Sequence, residues 1–153
     1  MQSQNHQIAK SQNGLTLAHV THEAVEKIGG IGAVLEGLMI SPVYQRHVKR
    51  SILVGPIAPH MSSDPVNPLG EDGEVLYSSF DETDALGLGA KLRPVEWAFH
   101  VSIVYGKRRY ESAAENRSGE AEILLIDVFR SNRDRLNVFK LRLWETFGLD
   151  SSR

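Results

Sequence analysis

The chain has 153 residues, of which 41% are hydrophobic and 24% are charged, and its formal net charge is −2. This composition is typical of one globular domain with a core of its own, and the slightly negative charge gives no general attraction to nucleic acid or to an anionic membrane. The absence of cysteine excludes disulfides, thiolate catalysis and zinc sites built on cysteine.

The N-terminal residues 1–13 are rich in Gln, Asn and Ser, and we expect them to form a disordered leader. They contain no apolar centre of the kind that a secretory signal peptide needs. No apolar run in the chain reaches the roughly 18 residues of a membrane-spanning helix. We therefore expect a cytoplasmic protein without a membrane partner, folded over residues 14–150.

A glycine-rich loop follows the first predicted strand, the apolar run at residues 15–20, which we expect to be covered on both faces. We expect a helical turn between Glu23 and Lys27, followed by Gly29 and Gly30 and then by an apolar-periodic helix from about Ile31. Glycine lets a ligand approach the main chain closely, and the N–H groups at a helix N-terminus attract anions. The pattern predicts a phosphate or pyrophosphate site to which Lys27 adds a positive charge.

Two familiar phosphate-binding loops do not fit this stretch. A P-loop has its lysine after the glycines and a Ser or Thr next to it, whereas Lys27 comes before them. The dinucleotide fingerprint needs a third glycine where this chain has Leu35. The alternative is that the glycines only allow the strand and the helix to pack closely, without a ligand.

The helix after the loop forms a βαβ unit with the second strand. The helix is predicted to end near Ser41, because Pro42 disfavours helical geometry in the residue before it. Residues 51–57 form the second strand, which makes the unit right-handed by strong precedent. Residues 58–73 then form a long loop rich in proline and glycine.

The middle of the chain predicts short elements and a hairpin. Residues 74–79 are predicted as a strand and residues 81–92 as a short helix. Residues 97–105 are rich in strand-forming side chains, and the turn-like segment 106–109 leads into a return strand. We therefore predict a β-hairpin insertion near residues 97–112.

The last two predicted elements are a core strand and a helix. Residues 121–129 form the strand, in which Asp127 either contacts a ligand at the end of the sheet or caps the next segment. The helix runs over about residues 133–147 with one apolar stripe, and Gly148 suits its end. The elements together predict an α/β fold of three layers around a mostly parallel sheet.

Three segments resemble the starch and glycogen synthases. The first, residues 22–34, has the sequence HEAVEKIGGIGAV, which is similar to the Lys-x-Gly-Gly loop after the first strand of that family. The second is the strand ending at residues 53–56, and the third, residues 139–148, looks like the helix before the next core strand. The resemblance is spread over most of the chain.

The resemblance implies the Rossmann-like half of a GT-B glycosyltransferase that transfers glucose from ADP- or UDP-glucose to an α-1,4-glucan. By the family motif, the residues that contact the sugar nucleotide or the glucan would be Lys27, Gly29, Gly30, His22 and Glu23. No residue of the chain is assigned a catalytic role, and no metal or cofactor is implied. Both the ADP and the UDP donor stay open.

The same resemblance implies an incomplete domain. A chain of 153 residues is too short to include the family's second domain, which holds its acidic residue and its basic pair for the diphosphate. We therefore expect an N-terminal fragment that is inactive alone and needs a C-terminal domain or a partner chain. Exposed strand edges and apolar surface would favour a homo-oligomer. An alternative is a non-catalytic module that keeps the fold and binds a sugar nucleotide or a glucan.

Two further patterns in the sequence are weaker indications of function. His19 and His22 are spaced like a metal pair, but two ligands do not make a site, and we predict none. Lys107, Arg108 and Arg109 could form a basic patch for nucleic acid. Because the net charge is negative, we predict a solvated hairpin tip there and no nucleic-acid partner.

Overall fold

Residues 14–57, 68–70 and 72–150 are described by a computed structural model of the chain. The predicted leader and most of the predicted loop at 58–73 lie outside these residues. The described part has an α/β fold with four helices and one open six-stranded sheet, and it is consistent with a Rossmann-like arrangement.

The elements follow one another in the order β1 (Leu15–Val20), α1 (Gly30–Met39), α2 (Pro42–His47), β2 (Val48–Pro56), β3 (Gly73–Ser78), β4 (Thr83–Asp84), α3 (Gly89–Phe99), β5 (Ser102–Ser112), β6 (Arg117–Asp127) and α4 (Arg133–Phe147). The strands lie side by side in the order β1-β2-β6-β5-β3-β4.

One half of the sheet is parallel. β1 pairs with β2, and β2 pairs with β6, in each case in parallel. The predicted strand–helix–strand unit is therefore confirmed, with α1 and the short α2 between its two strands. The carboxyl ends of the three strands meet at one edge of the sheet, which is where open α/β sheets hold ligands.

The other half of the sheet is antiparallel, so the mostly parallel sheet that we predicted is not confirmed. β5 pairs antiparallel with both β6 and β3, and β3 pairs antiparallel with β4. For β5 and β6 the cause is the short turn at residues 113–116, where Asn116 has a φ of 48°. A connection this short joins antiparallel strands, because parallel neighbours need a crossover of a dozen or more residues.

The predicted hairpin near residues 97–112 is wrong in position. Residues 97–99 are the last turn of α3, and residues 106–109, which we expected to be a turn, lie in the middle of β5. The hairpin is instead formed by β5 and β6. The aromatic residues that suggested a strand at 97–99 are therefore helical, since strand propensity depends strongly on context.

The helix predicted for residues 81–92 begins only at Gly89. The carboxylate of Asp84 accepts hydrogen bonds from the N–H groups of Leu88, at 2.7 Å, and Gly89, at 2.9 Å. These bonds satisfy donors at the first turn of the helix, which fixes where it starts. Residues 83–84 pair with β3 as the short strand β4.

α1 covers one face of the sheet. Leu35 and Met39 of α1 are buried against Leu53 of β2 and against Ile123 and Leu125 of β6. The same core contains Val104 of β5, which pairs in register with Leu125.

α3 lies on the opposite face. Tyr105 follows Val104 along β5 and therefore points to the other side of the sheet. Tyr77 of β3 is its partner in register, and the Tyr77 hydroxyl donates to Glu96 of α3 at 2.9 Å. Helices thus lie on both faces, but β1 is an edge strand, and its Val20 is 79% exposed. We had expected β1 to be covered on both faces, and that expectation is wrong.

The predicted C-terminal helix is confirmed as α4. The Asn132 side chain accepts from the N–H of Arg135 at 3.1 Å, and Gly148 ends the helix with a left-handed φ of 65°. Several of its large apolar side chains are exposed, namely Leu136, Val138, Phe139, Leu141, Trp144 and Phe147. No helix within the described ranges is both long and apolar enough to cross a membrane.

Candidate functional site

The glycine loop lies at the carboxyl end of the parallel strands, as predicted. The N–H of Thr21 donates to the carbonyl of Val54 at 2.8 Å, so the chain leaving β1 crosses the end of β2. A Cβ atom at Gly55 would lie 2.6 Å from the Thr21 carbonyl oxygen and 2.7 Å from Ala24 Cβ. Gly55 therefore makes room for this crossing. The helical turn expected between Glu23 and Lys27 is absent, because that segment is a turn followed by irregular chain.

Glu23 fills the N-terminus of α1. Its side chain is only 4% exposed, and its Oε2 accepts a hydrogen bond from the N–H of Gly32 at 2.7 Å. The Gly32 N–H is the main cause that lowers the pKa of Glu23, opposed by burial and assisted by the N–H of Gly29 and by His22. The carboxylate therefore takes the position at the helix N-terminus where we expected a phosphate.

The glycines of the loop differ in what surrounds them. A Cβ atom at Gly29 would lie 2.9 Å from Glu23 Oε1, and one at Gly32 would lie 2.9 Å from the carbonyl oxygen of Glu26. A Cβ atom at Gly30 would meet nothing within 4 Å. Close packing around the internal carboxylate thus explains Gly29 and Gly32, whereas Gly30 faces open space.

The two other charged residues of the predicted site lie at the surface. His22 is mostly exposed, and its Nε2 lies 3.4 Å from Glu23 Oε1. The ammonium of Lys27 is half-exposed and forms an ion pair with Glu36 of α1. The structure therefore brings His22, Glu23 and Gly29 together, and it places Lys27 beside them with a carboxylate partner of its own.

Arg108 belongs to this region, although the sequence suggested that it lies in a basic hairpin tip. Its Nη1 donates to the carbonyl of Val25 at 2.8 Å, and its guanidinium lies 5.4 Å from the ring centroid of Tyr110. Its Nε is buried without a hydrogen-bond partner among the described residues. Arg108, Tyr110 and core Val104 alternate along β5, so strand periodicity would have identified the inward arginine if the strand had been placed correctly.

The three basic residues that we expected at a solvated hairpin tip lie within β5 and do not form one patch. Lys107 and Arg109 lie on the face of β5 opposite to Arg108, where they pair with Glu120 at 3.2 Å and with Glu111 at 2.5 Å. Neutralised charges of this kind give no continuous surface for a phosphate backbone.

Two other candidates have structural partners. Nε2 of His19 lies 2.8 Å from the Tyr44 hydroxyl, which lies 2.9 Å from the Ser51 hydroxyl. Asp127 accepts from the N–H of Phe129 at 3.0 Å, which is the capping role that we left open. No three His, Asp or Glu side chains of the part of the chain that the structure describes come together as a metal site would require.

Comparisons of the chain with protein-family models, with curated proteins and with solved structures find no match. The resemblance to starch and glycogen synthases therefore stays an expectation based on residues 22–34, 53–56 and 139–148.

Proposed function

We propose that this chain is part of a glycosyltransferase of the starch and glycogen synthase type, and that its glycine loop faces the sugar nucleotide and the glucan. One observation supports the proposal most. The segment that resembles the family loop, residues 22–34, lies at the shared carboxyl edge of β1 and β2. Ligands of open α/β sheets bind at that edge.

The residues of the loop divide into two roles in this proposal. Glu23 is a positioning residue, because its buried carboxylate holds the start of α1 through the N–H of Gly32. His22, Lys27 and Gly30 form the outer surface, where the donor diphosphate or the glucan would contact them. Lys27 would exchange its carboxylate partner Glu36 for a phosphate oxygen.

The reaction requires more charge than the loop provides. When glucose leaves the nucleotide with retention of configuration, positive groups stabilise the departing diphosphate. Lys27 would supply one of them, and a second domain or a partner chain would supply the others. We therefore expect this chain alone to bind its ligands weakly and to lack activity, since one wall of a cleft buries only a small part of a ligand.

The position of Glu23 also favours a second candidate, a non-catalytic module that binds glucan or sugar nucleotide. A carboxylate at the helix N-terminus repels a phosphate, whereas it leaves a neutral glucan unaffected. Under this candidate the chain binds maltotriose more tightly than either sugar nucleotide, and joining it to a second domain gives no transfer of glucose.

An NMR titration of the ¹⁵N-labelled chain with ADP-glucose, UDP-glucose and maltotriose tests both candidates. We expect millimolar affinity, with shifted amides concentrated between His22 and Gly32. Lys27→Ala should abolish the response to the sugar nucleotides. Lys107→Ala is the matched control, because Lys107 is also a half-exposed lysine paired with a glutamate.

Two results would contradict the glycosyltransferase proposal. The first is that no amide of the loop shifts with either sugar nucleotide at millimolar concentration. The second is that Lys27→Ala binds them as the parent chain does. A response to maltotriose alone would support the non-catalytic module.

A further inference from the structure

A second cleft lies at the antiparallel end of the sheet, on the face that carries α3. Its volume is about 320 Å³, which is within the range of small-molecule sites. α3 forms one wall, and the end of β3 and the turn into β4 form the other. Residues that line it include Tyr77, Glu82, Thr83, Arg93, Glu96 and Trp97. It shares no lining residue with the glycine loop.

The cleft contains a buried carboxylate that is only half satisfied. Glu96 is 7% exposed, and its Oε2 accepts from the Tyr77 hydroxyl at 2.9 Å. Burial, and then the neighbouring Glu96, raise the pKa of Tyr77, so its hydroxyl stays a donor. Glu96 Oε1 is buried with no hydrogen-bond partner in the described part of the chain. A buried polar oxygen without a donor is costly, so Oε1 is an acceptor that the described residues leave unsatisfied.

The surroundings of Glu96 favour a positively charged donor. Glu82 also lines the cleft, so the lining contains two carboxylates and one guanidinium, that of Arg93, which lies beside the Tyr77 hydroxyl. Trp97 lines the cleft and is 72% exposed, so most of its indole ring is accessible. A carboxylate and an exposed indole ring in the lining of one cleft can together recognise an ammonium group, through a charge-assisted hydrogen bond and a cation–π contact.

We propose that this cleft binds a small organic compound that carries a protonated amine. The ammonium donates a hydrogen bond to Glu96 Oε1, and its charge lies against the ring of Trp97. A polyhydroxylated sugar could also stack on Trp97 and donate to Glu96, but it brings no charge to the acidic cleft. The proposal does not depend on the function of the glycine loop, because the two sites have no lining residue in common.

The first experiment compares ligands of equal length that differ in charge. In a Trp144→Phe background, in which Trp97 is the only tryptophan, 1,4-diaminobutane is titrated and Trp97 fluorescence is followed. We expect a saturable change. 1,4-Butanediol, which has hydroxyls in place of the amines, should bind at least about tenfold more weakly, because it loses the charge assistance. Maltotriose is titrated as the sugar probe.

The second experiment compares variants. Glu96→Gln keeps the size of the side chain and an acceptor for the Tyr77 hydroxyl but removes the charge, and the diamine affinity should fall at least about tenfold. Glu111→Gln, at an exposed glutamate of β5, should leave it unchanged. Trp97→Leu alters only an exposed side chain, so it tests the indole contact even if Glu96→Gln fails to fold. We expect Trp97→Leu to bind the diamine more weakly than the parent, and calorimetry measures this affinity.

Any of three results would overturn the proposal. The first is that the diamine gives no saturable response, and the second is that the diol binds as tightly as the diamine. The third is that Trp97→Leu and a folded Glu96→Gln both bind the diamine as tightly as the parent does. Binding of maltotriose without binding of the diamine would show a sugar site instead.

Discussion

Two buried glutamates lie on opposite faces of the same sheet, and they differ in how their oxygens are used. Glu23 accepts from the N–H of Gly32, and the N–H of Gly29 also lowers its pKa. Glu96 accepts only from Tyr77 and leaves Oε1 without a donor among the described residues. The first carboxylate holds the N-terminus of α1 in place, whereas the second keeps one buried oxygen without a donor.

The two ends of the sheet therefore contain different kinds of candidate site. At the parallel end, the glycine loop and the helix N-terminus suggest an anion site, but the protein's own carboxylate already occupies the position. At the antiparallel end no sequence motif predicted a site, yet a carboxylate with one unpaired oxygen lines a cleft of about 320 Å³. Each end also contains one buried polar atom without a partner among the described residues, Arg108 Nε at the parallel end and Glu96 Oε1 at the antiparallel end.

The largest effect is expected when each of the two glutamates is changed to glutamine in a separate variant. Glu23→Gln should lower the melting temperature more than any other substitution proposed here, because an amide has one acceptor oxygen for the two N–H groups of Gly29 and Gly32. Glu96→Gln should change it little, since one oxygen suffices for the Tyr77 hydroxyl. Thermal unfolding at pH 7, followed by circular dichroism, measures both. Equal losses of melting temperature in the two variants would contradict the difference drawn between Glu23 and Glu96.

The next effect separates two neighbouring glycines. Gly32→Ala places a methyl group against the carbonyl of Glu26 and the Glu23 carboxylate, and it should cost about 1–3 kcal/mol of unfolding free energy. Gly30→Ala, which meets open space in the first turn of α1, should stabilise by up to about 1 kcal/mol. Urea unfolding of both variants measures the difference. A cost at Gly30 equal to that at Gly32 would mean that Gly30 is packed in the same way.

The pH dependence of stability should follow Glu23. Its pKa is lower in the folded chain than the usual 4.5, so the folded state holds the proton less tightly than the unfolded state does. The stabilisation is therefore complete above about pH 4.5 and is lost as the pH falls through the folded-state pKa. The difference in melting temperature between the parent and Glu23→Gln should shrink below that pH. A difference that stays constant down to pH 3 would contradict this role.

The smallest effect is expected at a carboxylate that is paired but closer to the solvent. Glu122 accepts from Arg50 at 2.5 and 2.6 Å and from the Tyr105 hydroxyl at 2.7 Å, and the Arg50 bonds are the main cause that lowers its pKa. Because the Arg50 side chain is half-exposed, Glu122→Gln should cost only about 0.5–1 kcal/mol. Urea unfolding checks this value against that of Gly32→Ala, which should be larger.

Local signals in the sequence were sufficient for part of the fold. The apolar run at 15–20, the periodic helix after the glycines and the Pro42 stop predicted the βαβ unit, because each signal acts within a few residues. Asn132 and Gly148 marked the ends of α4 for the same reason. The bounds of β1 and α4 match the prediction, whereas β2 begins at Val48 rather than at residue 51 and the short helix α2 was not predicted.

Long-range packing explains what the sequence could not predict. Trp97 and Phe99 have strand propensity, yet the cap by Asp84 and the bond between Tyr77 and Glu96 hold that stretch as a helix. The bond from Gly32 to Glu23 spans nine residues through a turn, so no periodic pattern reveals it. The alternation along β5 that directs Arg108 inward can be recognised in the sequence only if β5 is assigned its full length.

The most direct test of the account is one NMR experiment in which the labelled chain is titrated first with a sugar nucleotide and then with 1,4-diaminobutane. We predict two separate sets of shifted amides, one between His22 and Gly32 and the other around the cleft that contains Glu96. Shifts by both ligands in the same set would contradict the separation of the two sites, and no shift in either set would contradict both proposed sites.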